Sequence, residues 1–346
     1  MKPIHSLFVI VSLLLLAACA GQVHRTPTSP LPDESTSPIE PPTHTASVPT
    51  RTALPIATRT PTAIPPTATV FPIETVTAGG GWIAYTSKRS GNAEIYIMRT
   101  DGSARLRLTN HPAYDAWPTW SPDGTQIAFM SKRNGNPDIY IMEANGSNLR
   151  SLTHHAANDT WPDWSPDGSK IAFVSRRDGN FEVYVVNVDG SHLQRLTNTP
   201  GHEDFATWSP DGTQIIFTRI ESNEGTYIMN ADGSNERKLA DFLGLEFAWS
   251  PDGTKIAFGS DHQGFRGLYL MDPDGSNLQC ISRTMYGDNG PDWSPDGTRL
   301  VFSSWRDGDW EIYVMNLDGG DLQQLTRNLA DDEFPAWQPT QASQTP

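Results

Sequence analysis

The chain has 346 residues and a formal net charge of −15, from 40 acidic and 25 basic side chains. That balance argues against a nucleic-acid partner, because recognising a phosphate backbone needs a positive footprint. Its two cysteines, Cys19 and Cys280, supply no disulfide framework, so the fold has to rest on a hydrophobic core.

The N-terminus has the form of an export signal. Lys2 precedes an apolar run from Leu7 to Leu16, which is short for a bilayer span. The run ends in Leu16-Ala17-Ala18-Cys19-Ala20-Gly21, and the small residues directly before Cys19 resemble the lipobox of bacterial lipoproteins. That resemblance implies cleavage after residue 18 and lipidation of the Cys19 sulfur. The alternative is an ordinary signal peptide with an incidental cysteine. Each buried acyl methylene contributes roughly 0.8 kcal/mol, so several chains would hold the protein at a membrane. Ala20 follows the cysteine, where an Asp would point to inner-membrane retention. The expectation is an exported protein, anchored to a bacterial membrane through lipid alone and facing the periplasm or the cell exterior.

Residues 22 to 78 are dominated by Thr and Pro, as in Pro61-Thr62-Ala63-Ile64-Pro65-Pro66-Thr67. Such a stretch buries too little to offset its ordering entropy. At ~3.1 Å per residue its reach is at most ~180 Å. It reads as a disordered tether over residues 19–80, with a proline-motif ligand or a glycosylated stalk as alternatives.

Repeats begin at Gly81. The first unit opens on Trp82-Ile83-Ala84-Tyr85-Thr86-Ser87, and later units place a five-residue signal before the matching strand: Trp120-Ser121-Pro122-Asp123-Gly124. It recurs at Trp164, Trp208, Trp249 and Trp293, and in truncated form as Trp337-Gln338-Pro339, at spacings of 44, 44, 41, 44 and 44 residues. A fixed period of this size points to repeated blades. Ser-Pro-Asp-Gly fits a type I turn followed by a glycine at positive φ. Apolar runs such as Ile127-Ala128-Phe129-Met130 follow and read as strands buried on both faces.

A third strand follows in each unit, as in Asp138-Ile139-Tyr140-Ile141-Met142, then an Asp-Gly or Asn-Gly hairpin turn such as Asn145-Gly146. A fourth strand ends in Leu-Thr or its equivalent, as at Leu152-Thr153. Four antiparallel strands in each of six units predict an all-β, six-bladed β-propeller over residues 81–338, with a disordered tail at 339–346. Unit one lacks an innermost strand, and Glu333-Phe334-Pro335-Ala336-Trp337 is a spare one. Pairing it beside the Trp82 strand closes the ring and removes two exposed edges.

The unit, with its Leu-Thr, Trp-Ser-Pro-Asp-Gly, Ile-Ala-Phe and Arg-x-Gly-Asn signatures, resembles the WD-like propeller repeat of the TolB family. The resemblance implies partner binding at the propeller. That family has an α/β domain before its propeller, where this chain has the lipobox and tether. Related propellers also occur in oligogalacturonate lyases.

Strand order assigns the Ser-Pro-Asp-Gly and Asp-Gly turns to one face and the remaining loops to the other. Those other loops carry Arg89, Arg133, Arg177 and Arg306, the acids Asp115, Asp159, Asp204, Asp288 and Asp332, and the aromatics Trp117, Trp161, Phe205 and Phe334. Two readings stand: a docking surface at the channel mouth, since aromatic and Arg side chains are the usual anchors, or loop-holding ion pairs. Departures at Thr218 to Gly225 and Asp241 to Glu246 mark either an asymmetric binding side or drift. No Gly-x-Ser-x-Gly elbow is present. The expectation is a monomeric, non-catalytic propeller without a cofactor that binds a protein or an envelope polymer. The alternative is a metal-dependent, polysaccharide lyase-like enzyme using His111 and His155. Cys280 reads as a packing residue or an incidental thiol.

Overall fold

The computed structural model describes residues 81–264, 266–284 and 287–340. The export signal, Cys19, the tether and residues 341–346 lie outside the described residues. The described chain forms six four-stranded antiparallel sheets. Blade 2 shows the pattern. From the axis outward it runs Asp115–Trp120, Gln126–Ser131, Asp138–Glu143 and Arg150–Ser151.

The turn chemistry works as the motif requires. The Gly124 N–H donates to the Ser121 carbonyl at 2.8 Å, and the Ser121 hydroxyl donates to Asp123 Oδ1 at 2.6 Å. The same Asp oxygen accepts the Thr125 N–H at 3.0 Å, while Ser121 Oγ accepts the Gln126 N–H at 2.9 Å. One Ser-Asp pair thereby satisfies the turn and starts the next strand. That strand is buried from Ile127 to Ser131, as the unbroken apolar run requires.

Outermost strands are shorter than the sequence suggests. They span two residues in every blade but the fourth, where Arg237–Ala240 pairs. The Leu-Thr signature falls just past the strand, and its hydroxyl extends the ladder. Thr109 Oγ1 accepts the Ile95 N–H at 2.9 Å, and Thr153, Thr197, Ser282 and Thr326 repeat this at 2.8–3.1 Å. Between blades the approach is close. A Cβ on Gly146 would sit 2.9 Å from the Leu108 carbonyl oxygen of the preceding blade, and the residue has φ +83.

Blade 1 takes its innermost strand from the C-terminus. Asp332–Trp337 pairs antiparallel with Trp82–Ser87, matching Ile83 with Trp337 and Ser87 with Asp332. Charge reinforces the junction: Lys88 contacts Asp331 at 2.8 Å and Glu333 at 3.0 Å, and Arg89 contacts Asp332 at 2.6 Å. Trp337 is buried with Ile83, Tyr85 and Val301.

Truncation after residue 330 should therefore damage the whole ring. Burial of Trp337 alone is worth about 1.5–3 kcal/mol, before the half-buried Phe334 and the lost strand pairing are added. In a domain this size that corresponds to a fall of at least about 3 °C in the unfolding midpoint. Calorimetry of the truncated chain checks this; an unchanged midpoint would contradict the closure.

Candidate functional site

The four arginines singled out in the sequence are held inside their own blades. Arg133 meets Asp115 at 2.7 Å, Arg177 meets Asp159 at 3.0 Å, Arg306 meets Asp288 at 3.1 Å, and Arg89 meets Asp332 at 2.6 Å. All four aspartates are fully buried. Each guanidinium also lies over the Tyr of its third strand, with Arg133 4.9 Å from the Tyr140 centroid and Arg306 4.5 Å from that of Tyr313. Burial pushes the Asp115 carboxyl up even with Arg133 beside it. These groups form a staple in each of these four blades, on the loop face, rather than a rim of free charge.

Asp204 does not belong to this ring. Register places Glu203, not Asp204, opposite Arg219, and Arg219 bonds Glu203 at 2.6 Å and Glu236 at 2.9 Å. Asp204 lies one residue further along, where enclosure lifts its carboxyl to about 7. Blade 5 has neither partner, with Gly244 at the acid position and His262 at the Arg position. Phe242 fills that place instead, stacked 5.5 Å from Phe258 and tilted against His262 at 4.9 Å.

Asn92 explains the Gly-Asn of the motif. Its amide donates to the His111 carbonyl at 2.8 Å and the Ala113 carbonyl at 3.0 Å, tying down the loop into the next blade. Asn136 treats His155 and Ala157 in the same way. His111 and His155 act locally as well: each Nδ1 accepts a backbone N–H two residues on, from Ala113 or Ala157, at 3.1 Å. Among the described residues, no group of three His, Cys, Asp or Glu has the geometry to hold a metal.

The aromatics stand elsewhere than expected. Each innermost strand carries a bulge, so that in blade 2 the register shifts between Ala116 and Thr119. The bulged residues are Trp117, Trp161, Phe205, Glu246, Gly290 and Phe334, all with φ between 54 and 58. A left-handed conformation costs a non-glycine residue roughly 1–2 kcal/mol, yet five blades pay it. The bulge breaks the two-residue alternation and turns these side chains onto the axis. Trp117 and Trp161 stack at 4.1 Å, Phe205 meets Trp161 edge-on at 4.5 Å, and Phe334 meets both tryptophans within 5.9 Å. They close the channel instead of rimming its mouth.

The plug is the floor of a funnel of about 380 Å³. Its far end is ringed by Pro122, Pro166, Pro210, Pro251 and Pro339, so it opens on the Ser-Pro-Asp-Gly face, opposite the predicted docking surface. Midway along the wall stand Thr119, Asp163, Thr207, Ala248, Asp292 and Ala336, one from each blade. Asp163 accepts the Trp208 N–H at 2.8 Å, and Asp292 accepts the Trp337 N–H at 2.6 Å. Burial lifts both carboxyls to about 7, and for Asp163 the charge of Asp292 adds to it. Glu246, folded over Gly290 where a Cβ would stand 3.1 Å from its Oε2, is raised by burial to about 8. Asp163 and Asp292 escaped the sequence reading, and Glu246 entered it only as the end of the departure at Asp241 to Glu246. Their one signal is that the acids stand where other blades carry Thr, Ala, Gly or an aromatic.

Comparison with known proteins agrees with the propeller fold. A family described as the TolB beta propeller domain matches residues 75–162. The Tol-Pal system protein TolB of Syntrophotalea carbinolica is 46% identical over 44 residues, a segment covering 13% of this chain and 10% of that protein. TolB from Acinetobacter baumannii superposes with a TM-score of 0.68 at 24% identity, over 76% of this chain and 68% of that one. The chain resembles the TolB beta propeller family over residues 75–162 and shares the fold of solved TolB structures. A putative TolB from Agrobacterium tumefaciens is similar to it in fold, with a TM-score of 0.58 at 24% identity over 76% of this chain and 92% of that one.

Two outcomes follow for this TolB-like propeller. Arg133→Ala leaves the Asp115 carboxylate buried without its partner and should cost about 3–5 kcal/mol in denaturant unfolding; a loss below about 1 kcal/mol would mean a surface pair. The second concerns pH. A carboxyl raised on folding keeps a proton that the unfolded chain loses above about pH 4, so stability falls as pH rises from there towards 7 or 8. The melting midpoint should be higher at pH 5 than at pH 8. Asp163→Thr with Asp292→Ala should narrow that gap.

Proposed function

We propose that this chain is a lipid-anchored, non-catalytic propeller that binds a protein partner in the bacterial cell envelope through the axial funnel. The observation that carries it is the division between uniform and individual positions. Turns repeat from blade to blade, and staples and ladder caps each recur in five of the six blades. The axial layers do not: the floor reads Trp, Trp, Phe, Glu, Gly, Phe, and the wall Thr, Asp, Thr, Ala, Asp, Ala. Where a repeated scaffold stops repeating, the scaffold is not what dictates the side chain.

A funnel of about 380 Å³ lies at the small end of ligand sites, which run from about 300 to 1,000 Å³. It suits a few residues of an extended segment, with the surrounding turns as a wider contact ring. The TolB-like fold supports an interaction role of this kind, and the matched Tol-Pal system protein supports an envelope setting. Cys19 supplies the anchor and the Thr/Pro-rich stretch the reach.

A photo-crosslinking residue at Thr207, on the funnel wall, should capture a discrete partner in cells of the source organism. One at Arg176, on the loop face, should not. Capture from Arg176 alone would move the partner to the loop face and overturn the assignment. In the same cells, Cys19→Ser should shift the protein from the membrane to the soluble fraction.

A further inference from the structure

The funnel wall has a one-sided charge. Asp163, Asp292 and Glu246 line it, and among the described residues no Lys, Arg or His does. Asp163 and Asp292 stand three blades apart, on opposite sides of the axis. Each keeps unused acceptor capacity beyond its backbone N–H bonds, since a carboxylate has about four lone-pair sites. Glu246 Oε2 is buried at the floor with no hydrogen-bond partner among the described residues. The loop-face acids have arginines; these three have none on the wall.

We infer that the funnel receives a basic side chain, a lysine or arginine carried on an extended segment of the protein partner, with its cationic head between Asp163 and Asp292. This rests on the funnel being the partner site. The remaining wall fits such a side chain. Proline rings and the faces of Trp117, Trp161 and Phe334 pack an alkyl stem, and aromatic faces attract a cationic head. A bare divalent ion fits poorly. It takes six or more oxygen ligands, and no three of these acids converge to hold one.

Protonation couples to binding. The charged neighbour that Asp163 faces is Asp292, while Glu246 has Glu333 and Arg266 about it. A cation favours the ionised carboxylates, which exist above pH 7 and are lost below it. Affinity for a basic side chain therefore rises with pH across neutrality.

The test uses the full-length protein and the peptide acetyl-Gly-Gly-Lys-Gly-Gly-amide, followed by tryptophan fluorescence and calorimetry. Saturable binding at pH 8 is expected. It should weaken at least about tenfold for the Nε-acetyl-lysine twin, for Asp163→Thr with Asp292→Ala, and at pH 5.5. Thr and Ala occupy the same position in other blades, and an unchanged circular dichroism spectrum confirms the variant's fold. Equal affinity for the two peptides overturns the cation while leaving the Thr207 crosslink, and so the funnel, standing. Absence of saturation up to about 10 mM also overturns it. Binding of spermidine but not of the peptide moves the site to free polyamines, and binding of calcium chloride alone makes it a metal site; either result refutes the inference.

Discussion

The structure depends on the antiparallel pairing of Asp332–Trp337 with Trp82–Ser87. Those segments lie near opposite ends of the described residues, so their contact costs a long loop closure. In return it removes two open sheet edges, buries Trp337 and places six innermost strands about one axis. Lys88 and Arg89 hold the seam with three carboxylates. An axis exists only because this pairing forms. The funnel, its floor and the opposition of Asp163 to Asp292 are consequences of it.

Moving inward, the blades change from alike to different. At the periphery, Thr and Ser hydroxyls cap the third strand in five blades, and Asn92, Asn136 and Asn180 lock the following loop in the first three. One layer in, Arg–carboxylate staples recur, with two substitutions that keep the packing. Arg219 reaches both Glu203 and Glu236 in blade 4, and Phe242 stacks on Phe258 in blade 5. Those departures are structural replacements. At the axis, the differences leave groups that the scaffold does not satisfy, such as Glu246 Oε2.

Charge is handled in opposite ways on the two faces. On the loop face, buried aspartates meet guanidinium groups that are themselves held over tyrosine rings, so the acids are neutralised inside the blade. In the funnel, carboxylates face proline, tryptophan and one another. Burial answers this by favouring the protonated forms near neutral pH. A chain with a net charge of −15 thus pairs its buried loop-face aspartates with arginines and, among the described residues, leaves Asp163 and Asp292 in the axial cavity without a cation on the wall.

The sequence by itself determined the blade. Trp-Ser-Pro-Asp-Gly, the doubly buried strand and the Asp-Gly hairpin are local signals, each set by residues within a few positions of one another. The surplus C-terminal strand made closure legible as well, because a missing and a spare element are visible in a count. The sequence also supplied the arginines and aspartates, but not their choice of each other. Only the tertiary structure decided where the aromatics point. A bulge at Trp117 shifts the strand's alternation by one residue, and nothing at Asp115-Ala116-Trp117-Pro118 announces a tryptophan at positive φ. Register likewise exchanged Asp204 for Glu203. Asp163 and Asp292 lie 129 positions apart along the chain, and what sets them across from each other is the rotation of six sheets about an axis that no short stretch of sequence contains.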